Sequence, residues 1–123
     1  MYVYYNPNPR NKRVGDCVVR ALCKLLNQDW HTVYMTLCLY GDDACDWPSS
    51  NSVWSSYLKG LGFRQYLIPD TCPNCYTVKD FCMDHPNGLY LLATGSHVIA
   101  VENGDYYDIS DTGYEVPTSY FMR

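Results

Sequence analysis

A thiol, an imidazole and two carboxylates stand in an order that suits nucleophilic chemistry: Cys17, His97, then Asp108 and Asp111. Cys17 closes the run Gly15-Asp16-Cys17, just before the apolar stretch from Val18 to Leu26, so it opens a predicted helix. Free amides and the dipole at a helix start favour a thiolate there and lower its pKa. Gly15 permits an unusual turn and the close approach of another molecule. A thiolate nucleophile needs a base, and the base needs an acceptor that orients it.

The chain holds 3 histidines. His31 falls inside a predicted helix beside Trp30, and His85 falls at a helix end before Pro86, where a positive charge favours the helix C-terminus. His97 differs, because it starts the β-rich run His97 to Val101. A base held on a rigid strand can be aimed at a helix start. The run Glu102-Asn103-Gly104-Asp105 then signals a hairpin that brings the chain back past His97. A two-residue turn sets His97 opposite Ser110, with Asp108 diagonal to it and on the same face. A three-residue loop with a bulge sets Asp111 opposite His97 instead. Both carboxylates are candidates for the orienting acceptor.

A second set of soft ligands competes for attention: Cys72, Cys75, Cys82 and His85, in a C-x2-C-x6-C-x2-H pattern. Four such groups could hold zinc if they converge as a tetrahedron. The plainer reading is an ordinary turn at Pro73-Asn74 with Phe81 and Cys82 simply packed; a redox-labile Cys72–Cys75 pair is a further, separate alternative. Arg20, in the second turn of the first helix, invites a role; the plainer reading is a salt bridge to one of the 13 acids or a stem packed on the core. Trp47 and Trp54 either line a cleft or belong to the core, and Asp42, Asp43 and Asp46 read as a solvated loop.

The elements that must position these residues fit one domain. The chain has 123 residues, 47% hydrophobic and 18% charged, which is enough for one core and not two. A net charge of -4 argues against a nucleic-acid or anionic-membrane partner, since both need a basic surface. No apolar run reaches the roughly 18 residues of a membrane span, and the start of the chain lacks the pattern of a signal peptide. The expected location is therefore the cytoplasm, where 7 cysteines stay largely reduced and most act as small buried hydrophobes.

Residues 1–14 read as an irregular lead-in. Helices are predicted from Cys17 to about Asn27, with Asp16 as N-cap, and from Trp30 to Tyr40, with Gly41 as a stop. A third runs from Ser49 or Ser50 to Gly60 or Gly62, and a short fourth from Thr77 to His85. Strands are expected at Phe63 to Ile68, Leu89 to Ala93, His97 to Val101 and Tyr106 to Ser110, with an edge strand at Val116 to Phe121. Helices followed by an antiparallel sheet make an α+β protein.

The runs Asn11…Gly15-Asp16-Cys17-Val18-Val19-Arg20-Ala21, His85 to Val101 and Tyr106-Tyr107-Asp108-Ile109-Ser110-Asp111 resemble small papain-like cysteine peptidases, in particular single-domain members from bacterial and phage genomes. The resemblance extends from about Asn11 to Tyr120, although Val18 stands where papain-type enzymes carry an aromatic residue. It implies one papain-like domain over 1–123, with the site in a cleft between a helical half and a small sheet. It further implies a hydrolase of peptide, isopeptide or related amide bonds, with Cys17 as nucleophile, His97 as base, and no metal or organic cofactor. The third member follows the histidine strand and closes a Tyr-rich strand, a pattern that Asp111 fits somewhat better than Asp108. An amide side chain six residues before the nucleophile, here Asn11, would join the Cys17 N–H in holding an oxyanion. The alternatives are a non-catalytic, phage-derived binding or inhibitor protein on the same fold and, from the second cysteine set, a small zinc module.

Overall fold

A computed structural model describes residues 1–123. In chain order the elements are β1 (Tyr2–Tyr4), α1 (Cys17–Leu26), α2 (Trp30–Ala44), α3 (Asn51–Gly60), β2 (Arg64–Leu67), α4 (Val78–Asp84), β3 (Leu89–Ala93), β4 (Val98–Glu102), β5 (Asp105–Asp108) and β6 (Ser119–Met122). The protein is α+β, with one 6-stranded sheet in the order β1-β5-β4-β3-β6-β2. No helix is long and apolar enough to cross a membrane.

Strand alternation builds two cores. On one face Leu91, Ala93, Val98, Ala100 and Phe121 pack against α1, α2 and α3. On the other, Tyr90, Leu92, Ile99, Val101 and Tyr106 pack against Val78, Phe81 and Cys82 of α4. Because both faces of β3 and β4 are covered, these strands read as continuous apolar runs and not as alternating ones. α1 lies over the sheet with seven of its ten residues buried, which explains its nearly all-round apolar sequence.

The sheet differs from the expected antiparallel one. Tyr2–Tyr4 of the lead-in pairs in parallel with β5, Tyr2 beside Tyr106 and Tyr4 beside Asp108, so the sheet is mixed. The segment expected as an edge strand is interior: β6 lies between β3 and β2. Its Phe121 is fully buried, which an edge position would not give.

Two helix ends also differ. α2 runs through Gly41 to Ala44, and Gly41 is kept bare by a close approach, since a Cβ there would lie 2.7 Å from the Asp46 carbonyl oxygen. Asp16 stands at the N-cap position of α1 but makes no capping hydrogen bond, because other partners hold its carboxylate. α4 follows the rule instead: Thr77 accepts from the Asp80 N–H while the Asp80 carboxylate accepts from the Thr77 N–H.

The hairpin between β4 and β5 fixes the register that matters for the site. Asn103 and Gly104 both take positive φ, 51° and 80°, as a two-residue turn requires, and Glu102 pairs with Asp105. Ala100 therefore faces Tyr107, and the chain beyond places Asp108 diagonally from His97.

Candidate active site

Three elements meet where β4 begins and β5 ends. α1 supplies Cys17 from its first position, the turn before β4 supplies His97, and the last residue of β5 supplies Asp108. The Thr94 N–H donates to the His97 carbonyl, which fixes the backbone of that turn at 2.9 Å. His97 Nε2 lies 2.7 Å from Asp108 Oδ2. Its other ring nitrogen, Nδ1, has no carboxylate partner, and the half-buried Cys17 thiol lies close enough that each group shifts the other's pKa.

The electrostatics favour a charged pair. Burial pushes the Cys17 thiol up, but the His97 hydrogen bond, the Val98 N–H and the charges of His97 and Arg20 together bring it below its ordinary value. The Asp108 hydrogen bond, reinforced by Cys17, raises His97 to about 10 against the cost of burial. Both shifts, the thiol down and the imidazole up, favour the thiolate–imidazolium form. Asp108 also sits below its usual range: burial opposes its charge, but His97, Thr112 and the Ile109 N–H outweigh that cost.

Asp108 is 1% exposed, and both of its oxygens are satisfied. Oδ2 accepts from His97 and from the Thr112 hydroxyl at 2.9 Å. Oδ1 accepts from the Ile109 N–H at 2.8 Å and faces Arg20 Nη2 at 3.2 Å. The Arg20 guanidinium, itself buried, sends Nη1 to Asp16 Oδ1 at 2.7 Å. Asp16 Oδ2 in turn accepts from Trp30 Nε1 at 2.9 Å. A continuous polar line therefore joins Asp16, the residue before Cys17, to Asp108, the carboxylate behind His97. Thr112, which donates to Asp108, and the Val98 N–H, which helps to lower Cys17, carry no local sequence signal. Of the readings open for Arg20, the salt bridge to an acid is present, to Asp16 and to Asp108.

Asp111 is a correction. Its carboxylate accepts from the Tyr106 hydroxyl and from the Gly113 N–H, and it does not touch His97. The two-residue turn is the reason, because it sets the register in favour of Asp108. Asn11 is exposed in a left-handed turn, φ 54°, with its N–H on the Asn8 carbonyl, and its side chain makes no hydrogen bond. At the start of α1, the N–H groups of Cys17, Val18 and Val19 find no acceptor in the chain, since Asp16 does not cap them.

The second cysteine set does not converge. Cys72 and Cys75 are joined as a disulfide, Cys82 is buried beneath the sheet, and His85 stacks on Phe81 and bonds its carbonyl. No group of three or more His, Cys, Asp or Glu side chains is placed to hold a metal. Trp54 is buried against Phe121, while Trp47 is 79% exposed. Comparison with family models, with curated proteins and with solved structures gives no match.

Proposed function

We propose that the chain is a cysteine hydrolase of papain-like fold that cleaves a peptide, isopeptide or related amide bond. The observation that carries this reading is His97 between Asp108 and the lowered Cys17 thiol at the head of α1. In the resting pair Cys17 is the thiolate and His97 holds a proton on each nitrogen. The Nε2 proton stays on the ring and is donated to Asp108, and the Nδ1 proton faces the sulfur.

The Cys17 thiolate attacks the substrate carbonyl carbon, and the carbonyl oxygen takes up the negative charge. The Cys17 N–H, unpartnered at the helix start, is the donor available for that charge. His97 Nδ1 then gives its proton to the leaving amine as the C–N bond breaks. Water, deprotonated by the now neutral His97, attacks the thioester, and the thiolate leaves to restore the pair. Asp108 keeps its own charge throughout and fixes the imidazole plane.

An electrophilic peptide probe tests the reading. The wild-type chain should label at Cys17, and Cys17→Ala should lose all labelling. His97→Ala should slow labelling by about 10²–10⁴-fold, the usual worth of acid–base assistance. Equal labelling of Cys17 and the exposed Cys45 would contradict it and leave the non-catalytic binding protein as the better account.

A further inference from the structure

The cleft between α3 and the sheet continues from His97 into a cavity of about 270 Å³. Its floor is one row across three strands: Ser119 of β6, Ala93 of β3 and Val98 of β4 lie side by side in register. β3 presents Leu89, Leu91 and Ala93 toward the helices, so the cavity opens where that row turns from large to small. The row ends at the Val98 N–H that meets the Cys17 sulfur. Trp54 and Phe121 wall the cavity on one side, and Gln65 reaches in from β2.

The polar groups there are neutral. Ser119 is buried on the floor, where its hydroxyl oxygen accepts from Gln65 Nε2 at 3.3 Å and its own hydrogen finds no acceptor in the chain. The Gln65 amide oxygen is likewise unpartnered. His97 is the only ionisable side chain in the lining, and its charge is already matched by Cys17 and Asp108. A carboxylate or an ammonium entering the cavity would meet no free counter-charge. A purely apolar group would leave the buried Ser119 hydroxyl hydrogen without an acceptor.

We infer that this cavity is a specificity pocket for an uncharged, hydrogen-bonding side chain, of the carboxamide or hydroxyl kind, on the substrate residue beside the cleaved bond. The inference rests on the hydrolase reading for its substrate, but its test does not need turnover. Cys17→Ala protein is titrated with short blocked peptides that differ only at one central residue, Gln, Glu, Lys or Leu. Fluorescence of Trp54, which lines the cavity, reports occupancy.

The glutamine peptide should bind at least about tenfold more tightly than the other three, in keeping with sites that pair a polar group. Ser119→Ala should cut that preference over leucine while keeping the volume. Ala93→Leu should fill the cavity and abolish the response, with the far-ultraviolet circular dichroism unchanged. Leucine or glutamate bound as tightly as glutamine, or glutamine binding unaffected in a natively folded Ala93→Leu protein, would overturn the pocket. Neither result would touch the reactivity of Cys17, which stands or falls on its own labelling.

Discussion

Arg20 joins the two halves of the site: its Nη2 lies 3.2 Å from Asp108 Oδ1 and its Nη1 lies 2.7 Å from Asp16 Oδ1. The two carboxylates belong to different parts of the chain, Asp16 just before Cys17 and Asp108 behind His97. A guanidinium can reach both because its fork is rigid and planar, which an ammonium on a flexible stem cannot match. Removing it leaves two carboxylates buried without their cation. Arg20→Met should therefore lower stability by about 3–5 kcal/mol, the usual cost of breaking a buried pair from one side. Urea unfolding measures this, and a loss below about 1 kcal/mol would show that the bridge is only a surface-grade contact.

Asp108 and Asp111 separate cleanly by substitution. Asp108→Asn removes the main cause that holds His97 near 10, so the imidazole should titrate much closer to its ordinary value of about 6.5. The Cys17 thiolate then loses its cationic partner at neutral pH. Asp111→Asn costs a hydrogen bond to Tyr106 and should leave His97 where it is. Nuclear magnetic resonance titration of the His97 ring in both variants decides which carboxylate orients the base. An equal shift in both would contradict the assignment to Asp108.

Stability should depend on pH through the same pair. His97 is raised in the fold, so its contribution is complete below about pH 6.5 and is lost as pH rises through about 10. Asp108 is lowered, so its contribution is present above about pH 3.9 and is lost as pH falls through the lower folded value. The stability gap between wild type and Asp108→Asn should therefore be widest between these limits and shrink toward both extremes. Denaturant midpoints measured across pH test this, and a gap constant with pH would contradict it.

Gly41 offers a test of packing against propensity. Inside a helix, Gly to Ala should gain about 1 kcal/mol from propensity alone. Here the new Cβ would meet the Asp46 carbonyl oxygen at 2.7 Å and the Pro48 nitrogen at 3.1 Å. Both are backbone atoms that cannot swing aside, so Gly41→Ala should destabilise by about 1–3 kcal/mol. Thermal and chemical denaturation report the sign.

The same position shows what local sequence cannot carry. Gly41 reads as a helix stop because its contact with the 46–48 turn is a tertiary fact. Asp16 reads as a cap, but Arg20 and Trp30 claim its carboxylate, and only the packing of α1 on α2 brings Trp30 there. β1 is three residues long and finds its partner about a hundred residues away, so no periodicity announces it. By contrast, α1, α3 and the β4–β5 hairpin were legible because their signals are local: an apolar run after Gly15-Asp16, helical spacing from Val53 to Leu58, and Asn103-Gly104. Cys17 and His97 follow from those elements. The choice between Asp108 and Asp111 turned on a single residue of loop length, which the sequence pattern alone leaves open.

The thiolate–imidazolium pair is measured most directly by the rate of Cys17 alkylation with iodoacetamide as a function of pH, read by mass spectrometry with the exposed Cys45 as internal reference. The pair predicts that Cys17 stays reactive well below the pH of about 8.5 at which a free thiol ionises, with a further change in rate near pH 10 as His97 loses its proton. A Cys17 profile that superimposes on that of Cys45, with no sign of a second group, would contradict it.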